Sequence, residues 1–215
     1  MPFELHRVAV DPGPNLEARA REARRRSLPA GAATGHTADD QAETVLLRLL
    51  RGSGSAGLGA MQPGPAHPIL ALRRADTSEV CRSLDIVPLH DASNDRADVW
   101  RNRIRAEALP MLTDIAGRDL VPILQRTAGL LRDESEFLDQ LAAGIDPTDA
   151  LAVAGAPAVL SRRAIRCWLV ESGYPPDAAA VERVLDVARG ACVACELPGG
   201  RRVERSGQRL RVVEP

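Results

Sequence analysis

The chain has 215 residues, which is enough for one domain of ordinary size and a small second one. Its formal net charge is only −1, and all 28 basic residues are arginine, so any binding of nucleic acid must rely on local basic patches. Aromatic residues make up 2% of the sequence and no apolar run approaches the roughly 20 residues that span a bilayer, which argues against a base-stacking module and a membrane protein.

The first part of the chain is predicted to alternate between strands and helices. Apolar periodicity, with glycine and proline as breaks, predicts a strand at 6–10, a helix at 14–27, a short buried strand at 31–35 and a helix at 38–51. The last of these helices contains the most informative motif of the sequence.

This motif helix opens with acidic residues. Asp40 and Glu43 are three residues apart and therefore share one face, and His36 precedes the helix closely enough to converge on the same point. Their simplest role is to cap the helix and to complement its dipole. The helix ends with Arg48 and Arg51 before a glycine-rich segment, however, and this combination is unusual for a surface helix. We therefore interpret the motif as a functional site.

The rest of the chain is predicted to be mainly helical. Sequence patterns predict a short extended piece at 69–72, helices at 77–84 and 100–109, a break at Pro110, long amphipathic helices over 111–141, helices at 161–172 and 177–187, and a hairpin at 195–213 that turns at Gly199 and Gly200. We predict three parts: 1–110 as part of an α/β domain, 111–145 as linker helices and 146–215 as a small C-terminal domain.

A basic cluster marks the predicted helix at 100–109. Arg101 and Arg105 are four residues apart, which places two guanidiniums on one face, and Asn102 is adjacent. Such a pair suits the bidentate recognition of phosphate. The alternative is an ordinary solvated basic face.

Together the two clusters resemble the bacterial tRNA lysidine synthetases, which are N-type ATP pyrophosphatases. The matching patterns are His-x-x-x-Asp-x-x-Glu-Thr from His36, Arg-Gly-Ser-Gly from Arg51, Asp-x-Ser-Asn ending at Asn94, and Arg-Asn-x-x-Arg from Arg101. The resemblance implies an α/β fold: an incomplete parallel-sheet, Rossmann-like domain of the adenine nucleotide alpha hydrolase type, followed by linker helices and a small α+β domain.

The resemblance also implies a reaction. Such a ligase uses ATP and Mg²⁺ to adenylate the C2 oxygen of the wobble cytidine, C34, in an isoleucine tRNA with a CAU anticodon, and pyrophosphate leaves. The amine of free L-lysine then attacks C2, AMP leaves, and the product is lysidine. The family's Ser-Gly-Gly-x-Asp-Ser phosphate loop does not occur in this sequence, so we expect the chain alone to be inactive or weakly active. We expect a cytoplasmic protein that can associate as a homodimer.

Roles follow residue by residue from the same resemblance. The catalytic residues would be His36, Asp40 and Glu43, and the lysine site would consist of Arg24, Asp40 and Glu43. The metal ligands are not assigned. Contacts to nucleotide or tRNA would come from a third set: Arg48, Arg51, Gly52, Asn94, Arg101, Asn102 and Arg105.

Two alternatives remain open. Cys192 and Cys195 have the spacing of a metal or redox pair, as in the tRNA cytidine thiolases of the same superfamily. A complete site normally needs four ligands, so we interpret these cysteines as structural. The second alternative is a non-catalytic tRNA-binding remnant, which would keep the arginines without handling pyrophosphate.

Overall fold

The computed structural model describes residues 5–10, 13, 16–89, 99–170 and 176–213. The chain divides into two compact units. The first unit comprises the described residues of 1–53 and 60–128, and the second comprises those of 54–59 and 129–215. The predicted three-part division stays a prediction. No helix in the described part of the chain is long and apolar enough to cross a membrane.

The first unit is helical in its described residues. Its elements are α1 (Leu16–Ser27), α2 (Ala38–Leu50), α4 (Arg74–Ser83), α5 (Trp100–Arg103), a π-helical turn (Ile104–Ala108) and α6 (Leu109–Ala116), after which α7 (Val121–Ala142) begins. The four helices predicted in this part of the sequence are confirmed.

The two strands and the short extended piece predicted for this unit are not found in its described residues. Residues 6–10 and 31–35 are irregular and mostly exposed, and 69–72 form turns. A strand needs a neighbour that completes its backbone ladder. No described residue of the unit provides such a ladder, and Thr34 N donates instead to the Ala66 carbonyl at 2.9 Å. The expected parallel sheet is therefore not shown.

The predicted break at Pro110 is wrong. The backbone keeps helical dihedral angles at Arg103, Ile104, Ala108 and Leu109, and Pro110 lies in the first turn of α6. Proline has no backbone N–H to donate and ordinarily interrupts a helix, but Pro110 closely follows a π-helical turn, whose hydrogen bonds already depart from the α-helical pattern. The basic helix thus continues through the π-helical turn into α6.

Two small apolar clusters hold α2 in place. Ala38 and Ala42 pack against Val121 at the start of α7, while Leu46 and Leu47 pack against Ile104 in the π-helical turn. The buried Gln41 adds a pair of 2.9 Å hydrogen bonds with the Met61 backbone. Together these contacts fix the helix that carries Asp40 and Glu43.

The second unit combines helices with an antiparallel sheet. Its elements are α3 (Ser55–Leu58), most of α7, α8 (Ala150–Gly155), α9 (Ala158–Val170), α10 (Ala178–Arg189), β1 (Ala194–Glu196), β2 (Arg202–Ser206) and β3 (Arg209–Val213), with sheet order β1-β2-β3. The predicted helices are confirmed, as is the hairpin that turns through Gly199 and Gly200. A second hairpin, between β2 and β3, was not predicted.

Candidate functional site

The Asp40 carboxylate divides its two oxygens between two tasks. Its Oδ2 atom accepts hydrogen bonds from Thr37 N and Thr37 Oγ1, both at 2.9 Å, and so caps the start of α2. Its Oδ1 atom accepts from Nη2 of Arg101 at 3.1 Å and from Nη2 of Arg74 at 3.3 Å. The capping role and the site role are therefore compatible.

Glu43 lies at the centre of an arginine cluster. Its side chain is only 1% exposed and is bound by three guanidiniums. Arg105 donates from Nε at 2.7 Å and from Nη2 at 3.0 Å, and Arg101 Nε and Arg74 Nη2 each donate at 2.9 Å. The buried carboxylate is thus fully compensated, which burial of a charge requires.

A second chain of ion pairs runs beside the first. The Arg73 guanidinium binds both oxygens of Asp39, from Nη2 at 3.0 Å and from Nε at 3.2 Å, and also contacts Asp119. Asp119 in turn accepts from Val121 N at 3.0 Å, at the start of α7. Arg73, Arg74 and Asp119 were not predicted as site residues. The adjacent Arg73 and Arg74 could have been recognised, because this pair of like charges begins α4 just as two adjacent aspartates begin α2.

The carboxylates of the site remain ionised. Burial acts to raise the pKa of Glu43, but the three guanidiniums outweigh it and hold that pKa below its ordinary value of 4.5. In Asp40, burial is outweighed by the hydrogen bonds from Thr37 and by nearby arginines, and the pKa is again lowered. The pKa of Arg105 is raised, chiefly by its hydrogen bond to Glu43. Asp40, Glu43 and Arg105 are therefore stabilised in their charged forms.

An open cavity of about 270 Å³ lies against this network. Three carboxylates and three guanidiniums contribute to its wall, together with a mainly apolar side from α6 and α7. The lining residues are Asp39, Glu43, Arg73, Arg74, Arg105, Leu109, Pro110, Thr113, Asp119 and Val121. A wall with equal numbers of both charges suits a ligand that itself carries both charges.

The predicted catalytic residue His36 lies just before α2. Its Nδ1 atom is 2.7 Å from Thr34 Oγ1, which is equally close to Nδ1 of His67. The two imidazole rings meet edge to face, with 5.2 Å between their centroids. Neither Thr34 nor His67 was recognised in the sequence, because 31 residues separate the two histidines.

The end of α2 has a structural explanation. Gly52 adopts a left-handed φ of 74°, Gly52 N donates to Leu49 O at 2.9 Å, and Ser53 N donates to Arg48 O at 3.0 Å. This is a Schellman cap, which requires a residue such as glycine. The geometry accounts for Gly52 without a phosphate. Burial lowers the pKa of Arg48, and Arg51 is exposed.

Other predicted site residues are not brought to the cavity. Arg24 is exposed near the end of α1, and it is not among the residues that line the cavity. Asn102 is half-buried on the same helix as Arg101. Asn94 lies outside the described residues. The roles predicted for these three residues stay predictions.

The structure adds little to the idea of a metal centre. Cys192 is exposed, whereas Cys195 is half-buried at β1, where burial raises the pKa of its thiol. Among the residues that the structure describes, no group of three or more His, Cys, Asp or Glu side chains could hold a metal ion. The thiolase alternative thus gains no further ligand here.

Comparisons with known proteins agree with the motifs. Residues 1–112 match the PP-loop domain family. Several curated relatives are named tRNA(Ile)-lysidine synthase. The Nocardia farcinica relative is 44% identical over 182 residues, covering 78% of the chain and 57% of the relative. The Mycolicibacterium paratuberculosis relative is 38% identical, with 90% and 67% covered, and the Salinispora arenicola relative is 38% identical, with 100% and 73% covered. The chain spans little more than half the length of the Nocardia relative.

Proposed function

The chain belongs to the PP-loop domain family and to the tRNA(Ile)-lysidine synthases, as its motifs predicted, and we propose that it carries the lysine-binding site of such a synthase. In the proposed reaction, ATP adenylates the C2 oxygen of the wobble cytidine of an isoleucine tRNA and pyrophosphate leaves. The amine of free lysine then attacks C2, AMP leaves with the oxygen, and a carbon–nitrogen bond replaces the carbon–oxygen bond.

The observation that carries this proposal is the cavity lined by charges of both signs. Free lysine has one carboxylate and two ammonium groups, so its site needs guanidinium donors as well as carboxylate acceptors. Glu43 and Asp119 offer acceptors, while Arg73 and Arg105 offer donors at the same wall. The apolar residues Leu109 and Val121 suit the methylene stem of lysine.

In the described state these charged groups bind one another. We propose that lysine enters by exchange of ion pairs: its carboxylate replaces a protein carboxylate on a guanidinium, and an ammonium binds the carboxylate that is released. Asp119 is the natural first partner, because its side chain is 49% exposed, whereas that of Glu43 is 1% exposed. Asp40 supports the site through Arg74 and Arg101.

The remaining assignments stay proposals. Contacts to ATP or tRNA phosphate from Arg48, Arg51, Asn94 and Asn102 rest on the family motifs. Arg101 and Arg105 would reach phosphate only after they release Glu43 in part. No described residue is assigned to magnesium, since the nearby carboxylates are already bound by arginines.

Lysine binding can be measured without background from the protein. The chain contains no lysine, so in a titration with ε-¹³C-lysine every lysine signal in the NMR spectrum comes from the ligand. We expect saturable binding that Asp119→Asn weakens about tenfold or more, since a hydrogen bond to a charged group contributes about 1.5–3 kcal/mol. Norleucine, which lacks the ε-ammonium, should bind more weakly than lysine.

The matched control is Glu107→Gln. Glu107 pairs with Arg103 on the exposed side of the π-helical turn and does not line the cavity, so lysine affinity should be unchanged. Equal affinity for norleucine and lysine, or no effect of Asp119→Asn, would overturn the proposed site. A chain that binds lysine and tRNA but never releases pyrophosphate with ATP would favour the non-catalytic remnant.

A further inference from the structure

The Thr34 hydroxyl has three hydrogen-bonding partners. Its Oγ1 atom lies 2.7 Å from His36 Nδ1, 2.7 Å from His67 Nδ1 and 3.1 Å from the Ala66 carbonyl oxygen. The two contacts to nitrogen have ordinary hydrogen-bond lengths, and the contact to the carbonyl is slightly longer than is usual for O–H···O. The same carbonyl also accepts from Thr34 N at 2.9 Å, which fixes the threonine backbone against it.

The single proton of the Thr34 hydroxyl restricts which nitrogen of each imidazole carries a proton. A hydroxyl has one proton to donate and two lone pairs to accept with, whereas a carbonyl can only accept. All three contacts can be hydrogen bonds at once only when the Thr34 proton points to Ala66 and each lone pair receives an N–H. We propose that Thr34 and His67 together hold His36 as the Nδ1–H tautomer, with the lone pair on Nε2.

His67 is the positioning residue in this arrangement. Without its N–H, the Thr34 hydroxyl could turn and donate to His36 Nδ1, and His36 would then carry its proton on Nε2. The hydrogen bond made by one ring nitrogen of a histidine determines whether the other nitrogen carries a proton. The edge-to-face contact between the rings, 78° from coplanar, adds an orientational constraint on His36.

The tautomer decides what His36 can do chemically. With the lone pair on Nε2, it is this nitrogen that can accept a hydrogen bond or a proton, including one from a substrate ammonium. This consequence rests on the proposed function, in which a lysine ammonium must lose a proton before its nitrogen attacks. The tautomer itself does not depend on that function and can be measured separately.

The tautomer is measured by long-range ¹H–¹⁵N correlation spectra of the ¹⁵N-labelled full chain at about pH 8, where an ordinary histidine is neutral. The chain has only four histidines, so His6→Gln, His36→Gln and His67→Gln assign the signals. We expect His36 as Nδ1–H in the wild type and in Thr34→Ser, and as mainly Nε2–H in Thr34→Val. A wild-type His36 that carries its proton on Nε2 would overturn the proposal.

Kinetics test the role of His67. Thr34→Val and His67→Phe should each lower kcat for lysine transfer about tenfold, a part of what a positioned acid–base group contributes. The KM for lysine should change less than about twofold. Thr34→Ser keeps the hydroxyl and should have the kcat of the wild type. A shifted tautomer with unchanged kcat would refute the positioning role. Because the chain alone is expected to be inactive or weakly active, absence of lysine transfer by the wild-type protein would not decide the proposed function. The spectrum of His67→Phe then decides the role of His67: His36 should become mainly Nε2–H, and a His36 that stays Nδ1–H would refute that role.

Discussion

The two units of the chain rely on different interactions. The second unit surrounds an apolar core in which Ile165, Val184, Leu185 and Val203 are completely buried. In the first unit, two smaller apolar clusters flank α2 and the buried Glu43 is held by arginines. Apolar burial needs no particular partner, whereas a buried ion depends on each of its partners. The second unit is thus suited to stability, and the first to exchange with charged ligands.

Glu43→Gln should have the largest effect, and it should destabilise the first unit while leaving the second nearly unchanged. Removal of the carboxylate charge leaves three guanidiniums together without their central partner, which typically costs about 3–5 kcal/mol. We expect this loss in the free energy of opening of α2, measured by amide hydrogen exchange, with α10 of the second unit nearly unaffected. The exposed Glu107→Gln is the control and should leave exchange of α2 unchanged. Equal loss in α2 and α10 would mean that the two units unfold together.

Leu185→Ala is the corresponding test of the second unit. Leu185 is 0% exposed in the apolar core, and its truncation should cost about 2–5 kcal/mol through lost burial and a cavity. Hydrogen exchange of α10 should accelerate while that of α2 stays within error. Leu151→Ala on the exposed side of α8 provides a matched truncation, which should have little effect. A comparable change in α2 after Leu185→Ala would contradict the separation.

Acidification should destabilise the first unit before the second, with almost no effect near neutral pH. The pKa values of Asp39, Asp40 and Glu43 lie below their ordinary 3.8 and 4.5, so folding favours their ionised forms. Their stabilisation is complete above the ordinary pKa values and disappears as pH falls through the lowered ones.

Fluorescence can follow this loss in each unit. Trp100 reports on the first unit and Trp168, packed at the core, on the second, each in a variant where it is the sole tryptophan. We expect little change down to about pH 4.5 and then loss of the Trp100 signal before that of Trp168. Simultaneous loss of both signals, or earlier loss of the Trp168 signal, would show that the ion-pair cluster does not limit the acid stability of the first unit.

The sequence predicted the helices because their signal is local. The acidic start and apolar repeat of α2 and the long amphipathic pattern of α7 are contained within the segments themselves. The predicted strand at 31–35 depended on a neighbour elsewhere in the chain. Apolar composition cannot show whether another strand is placed to pair with the segment, and for this reason the predicted strand was wrong.

For the site as well, the sequence predicted local groupings of residues but not the contacts between distant segments. Three-residue spacing placed Asp40 and Glu43 together, and four-residue spacing paired Arg101 with Arg105. Neither spacing revealed that these pairs bind each other, because 58 residues separate Glu43 from Arg101. Arg74 was missed for the same reason, since its contact with Glu43 joins residues 31 positions apart.

The π-helical turn at Ile104–Ala108 has a consequence for insertions and deletions. Because a π turn closes its hydrogen bond one residue later than an α turn, it holds one residue more. Five π-helical residues complete nearly the same rotation as four α-helical ones, so deletion of the exposed Ala106 would let the segment revert to a regular α-helix without rotating its two sides relative to each other. The same deletion in a regular α-helix would rotate one side by about 100°. The chain can therefore lose one residue at this turn while Arg101 and Arg105 keep their places beside Glu43.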